Sequence, residues 1–588
     1  KRVVTLNRKA AIPKVADIPP FDRRFFESKE VISRIGGGAI GGKASGLAFA
    51  HRVLKDVFPA GERDGILVSI PRFVVLGTDI FDAFMNRNDL YDIALDDMPD
   101  DRIAIAFQQA EFPAEFAGDL RALITSVHTP LAIRSSSMLE DAMYEPFAGV
   151  YGTKMTPNNQ PDTGTRYKKL VEGIKFVYAS TFFCEAKAYM KMTGSSPSEE
   201  KMAVIIQEVV GLRHGDRFYP SVSGVARSYN FYAFGHAQPE DGVVDLALGL
   251  GKTIVDGGLV WTYCPAFPKA SPPLMVSELL KHTQTKFWVV NMGKPPTFDT
   301  IRETEYMSEC SLEDAEYDNT ISALASTYLP QDDRLVPGTG RDGPRVLNFS
   351  PLIQMGDIPL NVLTQDLLAA FSKGLDVAVE MEFAMELDPS RKLPPRFGLV
   401  QVRPMVVSDA EIEVMEEDLK SEKVVIASEK VLGNGCNNDL IDIVFVRPAD
   451  FEKEHTRKIA AEIDTMNRRL VDLGRRYVLI GFGRWGSSDP WLGIPVNWGN
   501  VSGAQVLVEA TLPDMDIELS QGSHFFHNLT SLQLYYFNVK HTGPCEIDWA
   551  WLERQKVVSR TDYVSYVQLE SPLTVMVDGR SGRGVILK

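Results

Sequence analysis

Cysteine is scarce in this chain, with five residues among 588. The five lie far apart and form no Cys-x-x-Cys pair, which excludes a disulfide framework and a cysteine-based zinc site. Long hydrophobic runs are also missing, since no segment approaches the 18 consecutive apolar residues of a membrane-spanning helix. The basic opening of the sequence lacks the apolar stretch of a signal peptide. These absences predict a protein of the reducing cytoplasm with no membrane partner.

The sequence also lacks an excess of positive charge. Its formal net charge is −16 and 44% of its residues are hydrophobic. Nucleic acid is excluded as the main partner, because binding a phosphate backbone requires a basic face. The composition is that of a globular protein, and the length predicts about four domains.

A glycine-rich segment from Gly36 to Gly42 directly precedes Lys43. Beyond it, Leu47, Ala50 and Leu54 recur at helical spacing. The pattern predicts a glycine loop that enters a helix, with Lys43 near the start of that helix. A lysine in this position is by itself most simply a solvated charge.

The segment LAIRSSSMLED, residues 131–141, indicates a phosphate-binding site. An apolar strand ends in Arg134, whose guanidinium group suits phosphate oxygens, and three serines follow. In the next segment, EPFAGVYGTK, Gly149 and Gly152 allow the backbone to approach a ligand and to turn its amides toward an anion.

Two further segments predict a metal site. In LDVAVEMEFAM, strand alternation places Glu380 and Glu382 on one face, and in FGLVQVRPM it places Gln401 and Arg403 on one face. If the two strands pair with their polar faces toward one cleft, a carboxylate, an amide oxygen and a guanidinium group converge. Glu382 and Gln401 then suit Mg²⁺ on a triphosphate, and Arg403 neutralises charge on the transferred group. The alternative is an exposed strand face with a surface salt bridge.

The segment MAVIIQEVV, residues 202–210, has the length and β-branching of a buried strand. The GLGKT sequence that begins at Gly249 resembles a Walker A motif, but Leu246 stands where that motif requires its first glycine. We therefore do not predict a P-loop here.

Taken in order, these motifs resemble the nucleotide-binding domain of phosphoenolpyruvate synthase and pyruvate phosphate dikinase, over about residues 31–405. The resemblance implies an α+β chain with an ATP-grasp domain of two lobes, with ATP and Mg²⁺ as ligands. It places the adenine against the backbone of Glu208 and Val210. It implies catalytic roles for Arg134 and Arg403. The remaining residues that it assigns to nucleotide binding are Lys43, Gly149, Gly152, Glu382 and Gln401. The family has W-G-L-G-E where this chain has GLGK, so Lys252 replaces an acidic residue.

The predicted domain organisation is as follows. We expect an extended leader (1–30), a first ATP-grasp lobe (31–200), a second lobe (201–407) with a surface insertion at about 296–345, an acidic linker (408–430), and a smaller α/β C-terminal domain (431–588). The C-terminal region is shorter than the barrel that carries the pyruvate site in the dikinases.

Two C-terminal segments are candidates for function. QGSH loosely resembles the family's phosphohistidine motif and would make His524 a catalytic nucleophile, oriented by Ser523 or His527. An equally good alternative is a pair of structural histidines in an aromatic core. GRWGSSD is interpreted as an anion-binding or acceptor-binding loop, with a tight aromatic turn as the alternative.

The predicted function is therefore an ATP-dependent phosphotransferase of the dikinase type, which converts ATP to AMP. The phosphoryl acceptor is open: it is His524, a bound molecule, or a partner protein or domain. The alternatives are a simple kinase that releases ADP and a non-catalytic ATP sensor.

Overall fold

The computed structural model describes residues 18–588 except 141–148, 194, 232, 234, 271–275, 282, 357, 389, 391, 406, 408–411, 488, 490, 514, 516–528 and 530–533. The chain divides into two compact units. The first comprises residues up to Lys187 and Ser196–Met405, and the second comprises Ala188–Ser195 and most of the chain from Val406 onward. Helices and strands contribute almost equally, which is compatible with the predicted α+β class. Among the described residues, no helix has the length and apolar character needed to cross a membrane.

The elements before residue 405 alternate irregularly between helix and strand. The helices are α1 (Gly41–Val57), α2 (Thr78–Arg87), α3 (Tyr91–Leu95), α4 (Asp100–Gln109), α5 (Ala117–Ser126), α6 (Thr163–Ser180), α7 (Cys184–Thr193), α8 (Lys252–Val255), α9 (Val276–Lys281), α10 (Leu312–Tyr317), α11 (Ser350–Ile353) and α12 (Leu360–Leu375). The strands are β1 (Ile32–Ile35), β2 (Glu62–Arg63), β3 (Ile66–Ser69), β4 (Phe73–Leu76), β5 (Leu131–Ser137), β6 (Thr153–Thr156), β7 (Met202–Glu208), β8 (Leu212–His214), β9 (Arg217–Tyr219), β10 (Val222–Arg227), β11 (Val243–Ala247), β12 (Trp261–Tyr263), β13 (Lys286–Asn291), β14 (Met307–Ser311), β15 (Ser326–Leu329), β16 (Arg334–Pro337), β17 (Arg345–Val346), β18 (Val379–Glu386) and β19 (Arg396–Pro404).

A five-stranded sheet with the order β1-β4-β7-β5-β6 carries the first group of predicted site residues. Strands β5 and β7 are buried along almost their whole length, which fits the apolar sequence of β7 and the apolar first half of β5. The predicted glycine loop and helix are present, since α1 begins at Gly41. Gly41 has a φ of +75°, and a β-carbon there would lie 1.7 Å from the Ser136 carbonyl oxygen, so only glycine fits.

A seven-stranded sheet with the order β12-β11-β10-β18-β19-β3-β2 carries the second group. Strands β18 and β19 pair antiparallel, with Glu380 opposite Arg403 and Glu382 opposite Gln401. The predicted pairing of these two segments is therefore confirmed. The register shifts by one residue after Glu382, so that Val400 forms a bulge that period-2 alternation does not anticipate.

Residues 296–345 contribute to two smaller sheets of the first unit. Strand β14 pairs with β13 in a sheet with the order β14-β13-β9-β8, and β15, β16 and β17 form a three-stranded sheet. Ion pairs of Arg217 with Asp314 and Asp318, at 3.2 and 2.6 Å, hold α10 and the turn after it against β9.

The second unit is built around a mixed sheet. The strands of this unit are β20 (Val424–Ser428), β21 (Val431–Leu432), β22 (Gly435–Val446), β23 (Tyr477–Phe482), β24 (Arg484–Trp485), β25 (Gly493–Ile494), β26 (Ala504–Ala510), β27 (Tyr535–Val539), β28 (Val557–Arg560), β29 (Val564–Asp578) and β30 (Arg583–Leu587). All of them belong to the mixed sheet except β24 and β25, which pair with each other. The α-helices α13 (Thr456–Asp472) and α14 (Trp549–Glu553) also belong to this unit. Strands β22, β23, β26 and β27 are parallel neighbours, and α13 connects the first two. Ile459, Ile463, Met466 and Leu470 form the buried face of α13.

Candidate functional site

A cleft of about 250 Å³ in the first unit is bordered by both large sheets. Most of the predicted site residues line it: Lys43, Arg134, Gly149, Glu208, Val210, Glu382 and Gln401. Gly152 and Arg403 are not among its lining residues. The cleft has a cationic part around Lys43 and Arg134 and an apolar part around Met155, Val209 and Leu250.

Arg134 lies at the centre of the polar part. Its guanidinium group donates to the side-chain oxygen of Gln207 at 3.1 Å, to that of Gln401 at 2.8 Å and to the Val400 carbonyl at 2.9 Å. The Glu382 carboxylate is 3.8 Å away. The bulge at Val400 leaves its carbonyl free of regular strand pairing, where it accepts from Arg134. Arg134 therefore fixes the two large sheets to each other at the cleft.

Lys43 points toward a buried carboxylate that the sequence analysis did not single out. Its ammonium group is 2.6 Å from Glu140 and 3.1 Å from the Ser135 hydroxyl. The Ser135 hydroxyl and the Ser137 backbone N–H also donate to Glu140. Glu140 is 1% exposed and does not line the cleft, whereas Lys43 does. The buried carboxylate therefore orients the lysine side chain at the cleft wall. The sequence signal for this pairing was weak, because the two residues are far apart in the chain.

The three serines after Arg134 are all fully buried. The hydroxyl of Ser136 donates to the Ile40 carbonyl and accepts from the backbone N–H of Ala44. Ser136 thus holds the start of α1 in place, while Ser135 and Ser137 donate hydrogen bonds to the Glu140 carboxylate. The serines position the loop and the lysine rather than extending into the cleft.

The two glycines of the following segment differ in environment. Gly149 lines the cleft with a φ of +74°, a conformation that favours glycine. Gly152 donates its backbone N–H to the Ser180 hydroxyl at 3.0 Å, and a β-carbon there would lie 2.6 Å from the Phe176 ring. Gly152 is therefore required for close packing on α6.

The end of β7 forms a polar backbone edge of the cleft. The backbone N–H groups of Glu208 and Val209 donate to the carbonyls of Arg72 and Pro130. Within the described part of the chain, no hydrogen-bond partner is assigned to the N–H of Val210, which borders the cleft. Of these three backbone N–H groups, that of Val210 remains able to donate to a molecule in the cleft.

Glu382 and Gln401 form the candidate metal site. They are cross-strand neighbours that face the cleft, with a carboxylate and an amide oxygen as donors. These are hard oxygen ligands that suit Mg²⁺, which takes one or two protein ligands and completes its shell with phosphates and water. The described residues contain no group of three His, Cys, Asp or Glu side chains that could hold a metal alone. The pair therefore fits a metal that arrives with a nucleotide.

Arg403 is buried beside the cleft rather than in it. It is 1% exposed, and its Nε donates to Glu380 at 2.8 Å. Glu380 also accepts from Arg227 at 2.7 Å, and Arg227 donates to Asp245 at 2.8 Å. Burial raises the pKa of Glu380, but the two guanidinium groups outweigh burial and leave its pKa lowered. The strand alternation was predicted, but the neutralisation of Arg403 by Glu380 was not.

Residues 303–307 supply two cleft residues that the sequence analysis missed. Glu303 and Met307 line the cleft, from a 3₁₀ turn (Glu303–Tyr306) and the start of β14. Burial raises the pKa of Glu303, and nearby Lys252 partly opposes this shift. Lys252 itself forms an ion pair with Asp256 at 2.8 Å. Residues 296–345 were predicted only as a surface insertion, because their sequence has no regular apolar pattern that would indicate a buried face.

The two C-terminal candidates differ in what the structure describes. His524, Ser523 and His527 lie outside the described residues. In the GRWGSSD segment, Trp485 is buried, and its backbone N–H donates to Glu509 at 2.8 Å. The Glu509 carboxylate also accepts from the Tyr536 hydroxyl at 2.6 Å. Trp485 therefore anchors the segment, as expected for the aromatic-turn alternative.

Comparison with curated protein sequences gives no match. At the family level, residues 38–423 match the pyruvate phosphate dikinase, AMP/ATP-binding domain. This range covers more than half of the chain and contains every residue of the cleft. It confirms the resemblance recognised in the sequence, and it identifies the cleft as part of a nucleotide-binding domain. The chain belongs to the pyruvate phosphate dikinase AMP/ATP-binding domain family.

Proposed function

We propose that this protein is an ATP-dependent phosphotransferase of the dikinase type with a two-lobed ATP-grasp domain. The observation that supports this best is the convergence of Lys43, Arg134, Glu382 and Gln401 on one cleft. Together they provide two cations and two oxygen ligands, which is the set that a metal-bound polyphosphate needs.

The nucleotide is oriented by the two parts of the cleft. The base lies in the apolar part, against the backbone of Glu208 to Val210, and the phosphates extend toward Lys43, Arg134 and the amides near Gly149. Glu382 and Gln401 would hold Mg²⁺, and the bound ion would supply positive charge against the phosphate oxygens.

The chain's own residues perform the remaining tasks. Arg134 stabilises the charge that develops on the transferred phosphoryl group, because its partners at hydrogen-bond distance are neutral oxygens. Glu140 holds the Lys43 ammonium group in position through its ion pair at 2.6 Å. The phosphoryl acceptor is His524 or a group on a partner.

A second candidate is a nucleotide sensor that binds ATP without transferring phosphate. The pairing of Arg403 with Glu380 favours it, since a catalytic arginine in this position would have to leave its carboxylate partner. The two candidates differ in turnover and not in binding.

The test is to incubate the protein with Mg²⁺ and ATP labelled at the β-phosphate and to separate the products by chromatography. AMP together with label on the protein supports dikinase chemistry, and loss of that label in His524→Ala assigns the acceptor. ADP alone supports a simple kinase, and unchanged ATP with measurable binding supports a sensor. Glu382→Gln should abolish turnover, whereas Glu309→Gln, on the exposed surface of β14, serves as the matched control.

A further inference from the structure

Gln207 is a buried amide in the wall of the cleft, and the proposed binding of base, phosphates and metal gives it no task. Its side chain is 2% exposed and lines the cleft. The amide oxygen accepts from Nη1 of Arg134 at 3.1 Å, and the amide nitrogen donates to the Pro71 carbonyl at 3.4 Å. A guanidinium group can only donate and a carbonyl can only accept, so these two contacts fix which way the amide points.

The pairing of strands in the five-stranded sheet brings Gln207 to Arg134. Strand β7 pairs with β5, and Gln207 is the register partner of Ala132. Ala132 and Arg134 lie two positions apart and therefore share one face of β5. The amide thus lies diagonally across the two strands from the arginine, a distance that long side chains can bridge. The contact follows from the strand register and needs no loop to hold it.

The remaining hydrogen-bond acceptors of Arg134 belong to the seven-stranded sheet. They are the Gln401 amide oxygen at 2.8 Å and the Val400 carbonyl at 2.9 Å. Within the described part of the chain, Gln207 is the acceptor that the arginine's own sheet provides. Without Gln207 the guanidinium group would be held from one sheet alone. Because an amide is neutral, Gln207 directs the group without cancelling its charge.

We propose that Gln207 is a positioning residue, which holds the Arg134 guanidinium group toward the phosphates and keeps its charge available to them. It acts through Arg134 and not by contact with the ligand. Gln207 also directly precedes residues 208–210, which border the apolar part of the cleft. One strand therefore sets the distance between the base and the arginine. This inference rests on the proposed function, because it requires a polyphosphate beside Arg134.

The test is a double-mutant cycle on ADP affinity, measured by calorimetry in the presence of Mg²⁺. Gln207→Leu removes the amide and should weaken ADP binding about tenfold, which is the value of a hydrogen bond to a charged group. In the Arg134→Met background the same change should weaken binding by less than about twofold, because the group on which Gln207 acts is gone. An equal loss in both backgrounds would overturn the inference, since Gln207 would then contact the ligand directly.

Gln207→Glu separates the effect of charge from that of shape. Glutamate has the shape of glutamine and also accepts from Arg134, so the variant should keep the circular dichroism spectrum of the wild-type protein. An ionised carboxylate would neutralise the arginine, and ADP binding should therefore weaken about tenfold or more. A folded Gln207→Glu variant that binds ADP as tightly as the wild-type protein would overturn the inference, even if Gln207→Leu fails to fold.

Gln354→Leu is the matched control. The Gln354 amide accepts from the Ser350 hydroxyl at 2.8 Å and donates to the Pro268 carbonyl at 3.2 Å, but Gln354 does not line the cleft. This variant should keep the wild-type affinity for ADP. Unchanged affinity in Gln207→Leu would overturn the inference and leave the proposed function intact. Absence of ADP binding by the wild-type protein would instead overturn the proposed function, and the role of Gln207 with it.

Discussion

Arg134 and Arg403 are both buried guanidinium groups of the first unit, but they have different partners. Arg134 donates to two amide oxygens and a carbonyl, with a carboxylate only at 3.8 Å. Arg403 donates to the Glu380 carboxylate. Neutral acceptors hold Arg134 in place but leave its charge for an incoming anion, whereas Glu380 neutralises Arg403. The difference teaches that the chemistry of the acceptor, rather than burial, decides whether a buried arginine keeps its charge available for an anion.

The largest effect on stability is expected when Arg403 loses its carboxylate partner, Glu380. Glu380→Gln leaves Arg403 and Arg227 buried without the carboxylate that they share, and we expect it to lower the free energy of unfolding by about 3–5 kcal/mol. Urea unfolding followed by circular dichroism measures this change. A loss below about 1 kcal/mol would show that Arg403 does not depend on Glu380, and would return it to the list of catalytic candidates.

Glu200 can be compared with Glu380, because it is a buried carboxylate without an arginine partner among the described residues. It is 6% exposed, and the described residues form no salt bridge with it. Burial raises its pKa from 4.5 to about 7, to which the nearby Glu140 carboxylate contributes. Between these two pH values the folded state retains a proton that the unfolded chain releases. The stability of the fold therefore decreases as the pH rises from 4.5 through 7, by about 3 kcal/mol from this group.

Glu200→Gln should remove this pH dependence. Its free energy of unfolding should exceed that of the wild-type protein at pH 8, and the two should differ little at pH 4.5. Urea unfolding of both proteins at the two pH values measures the difference, and all other titrating groups cancel in the comparison. A variant that is less stable than wild type at pH 8 contradicts the assignment.

The ligand-binding arginine can be tested with a matched pair of variants. Arg134→Met should weaken ADP binding by about 100-fold, because it removes a charged donor from the cleft. Arg403→Met should instead act mainly on stability and change the affinity of the folded protein by a few-fold. Calorimetry with ADP measures both affinities. Similar losses of affinity in the two variants would remove the distinction between them.

The smallest effect is expected at an exposed ion pair. Lys286 and Glu309 lie 3.1 Å apart on neighbouring strands, with both side chains substantially exposed to solvent. Glu309→Gln should change the free energy of unfolding by less than about 0.5 kcal/mol, since water and salt screen such pairs. The same urea titration provides the value, and a change above 1 kcal/mol would mean that β14 contributes more to the fold than this contact indicates.

Local patterns in the sequence predicted a substantial part of the first unit. The glycine loop before α1 and the pairing of β18 with β19 follow from short-range periodicity, and both are present. Arg134 was assigned to the cleft from its position at the end of an apolar strand. These features depend on a few neighbouring residues, which is why they could be read from the chain.

The parts that were missed depend on contacts between distant residues. Glu303 reaches the cleft because its turn packs on β6, about 150 positions earlier in the chain, and no local pattern records that contact. The bulge at Val400 shifts strand register by one residue, and alternation rules assume that no such shift occurs. Arg403 was predicted to face the cleft, but it is buried beside it, where it donates to Glu380, a carboxylate that also accepts from Arg227.

The Lys154 ammonium group and the Glu305 carboxylate form a buried ion pair at 2.6 Å, which bears on how the protein avoids self-association. Strand β6 is the last strand of its sheet, and an open strand edge is a template for pairing with another chain. The turn from Glu303 to Tyr306 packs against β6, and the ion pair between Lys154 and Glu305 fixes the turn there. We therefore expect this short segment to disfavour pairing of β6 with another chain, in addition to placing a carboxylate in the cleft.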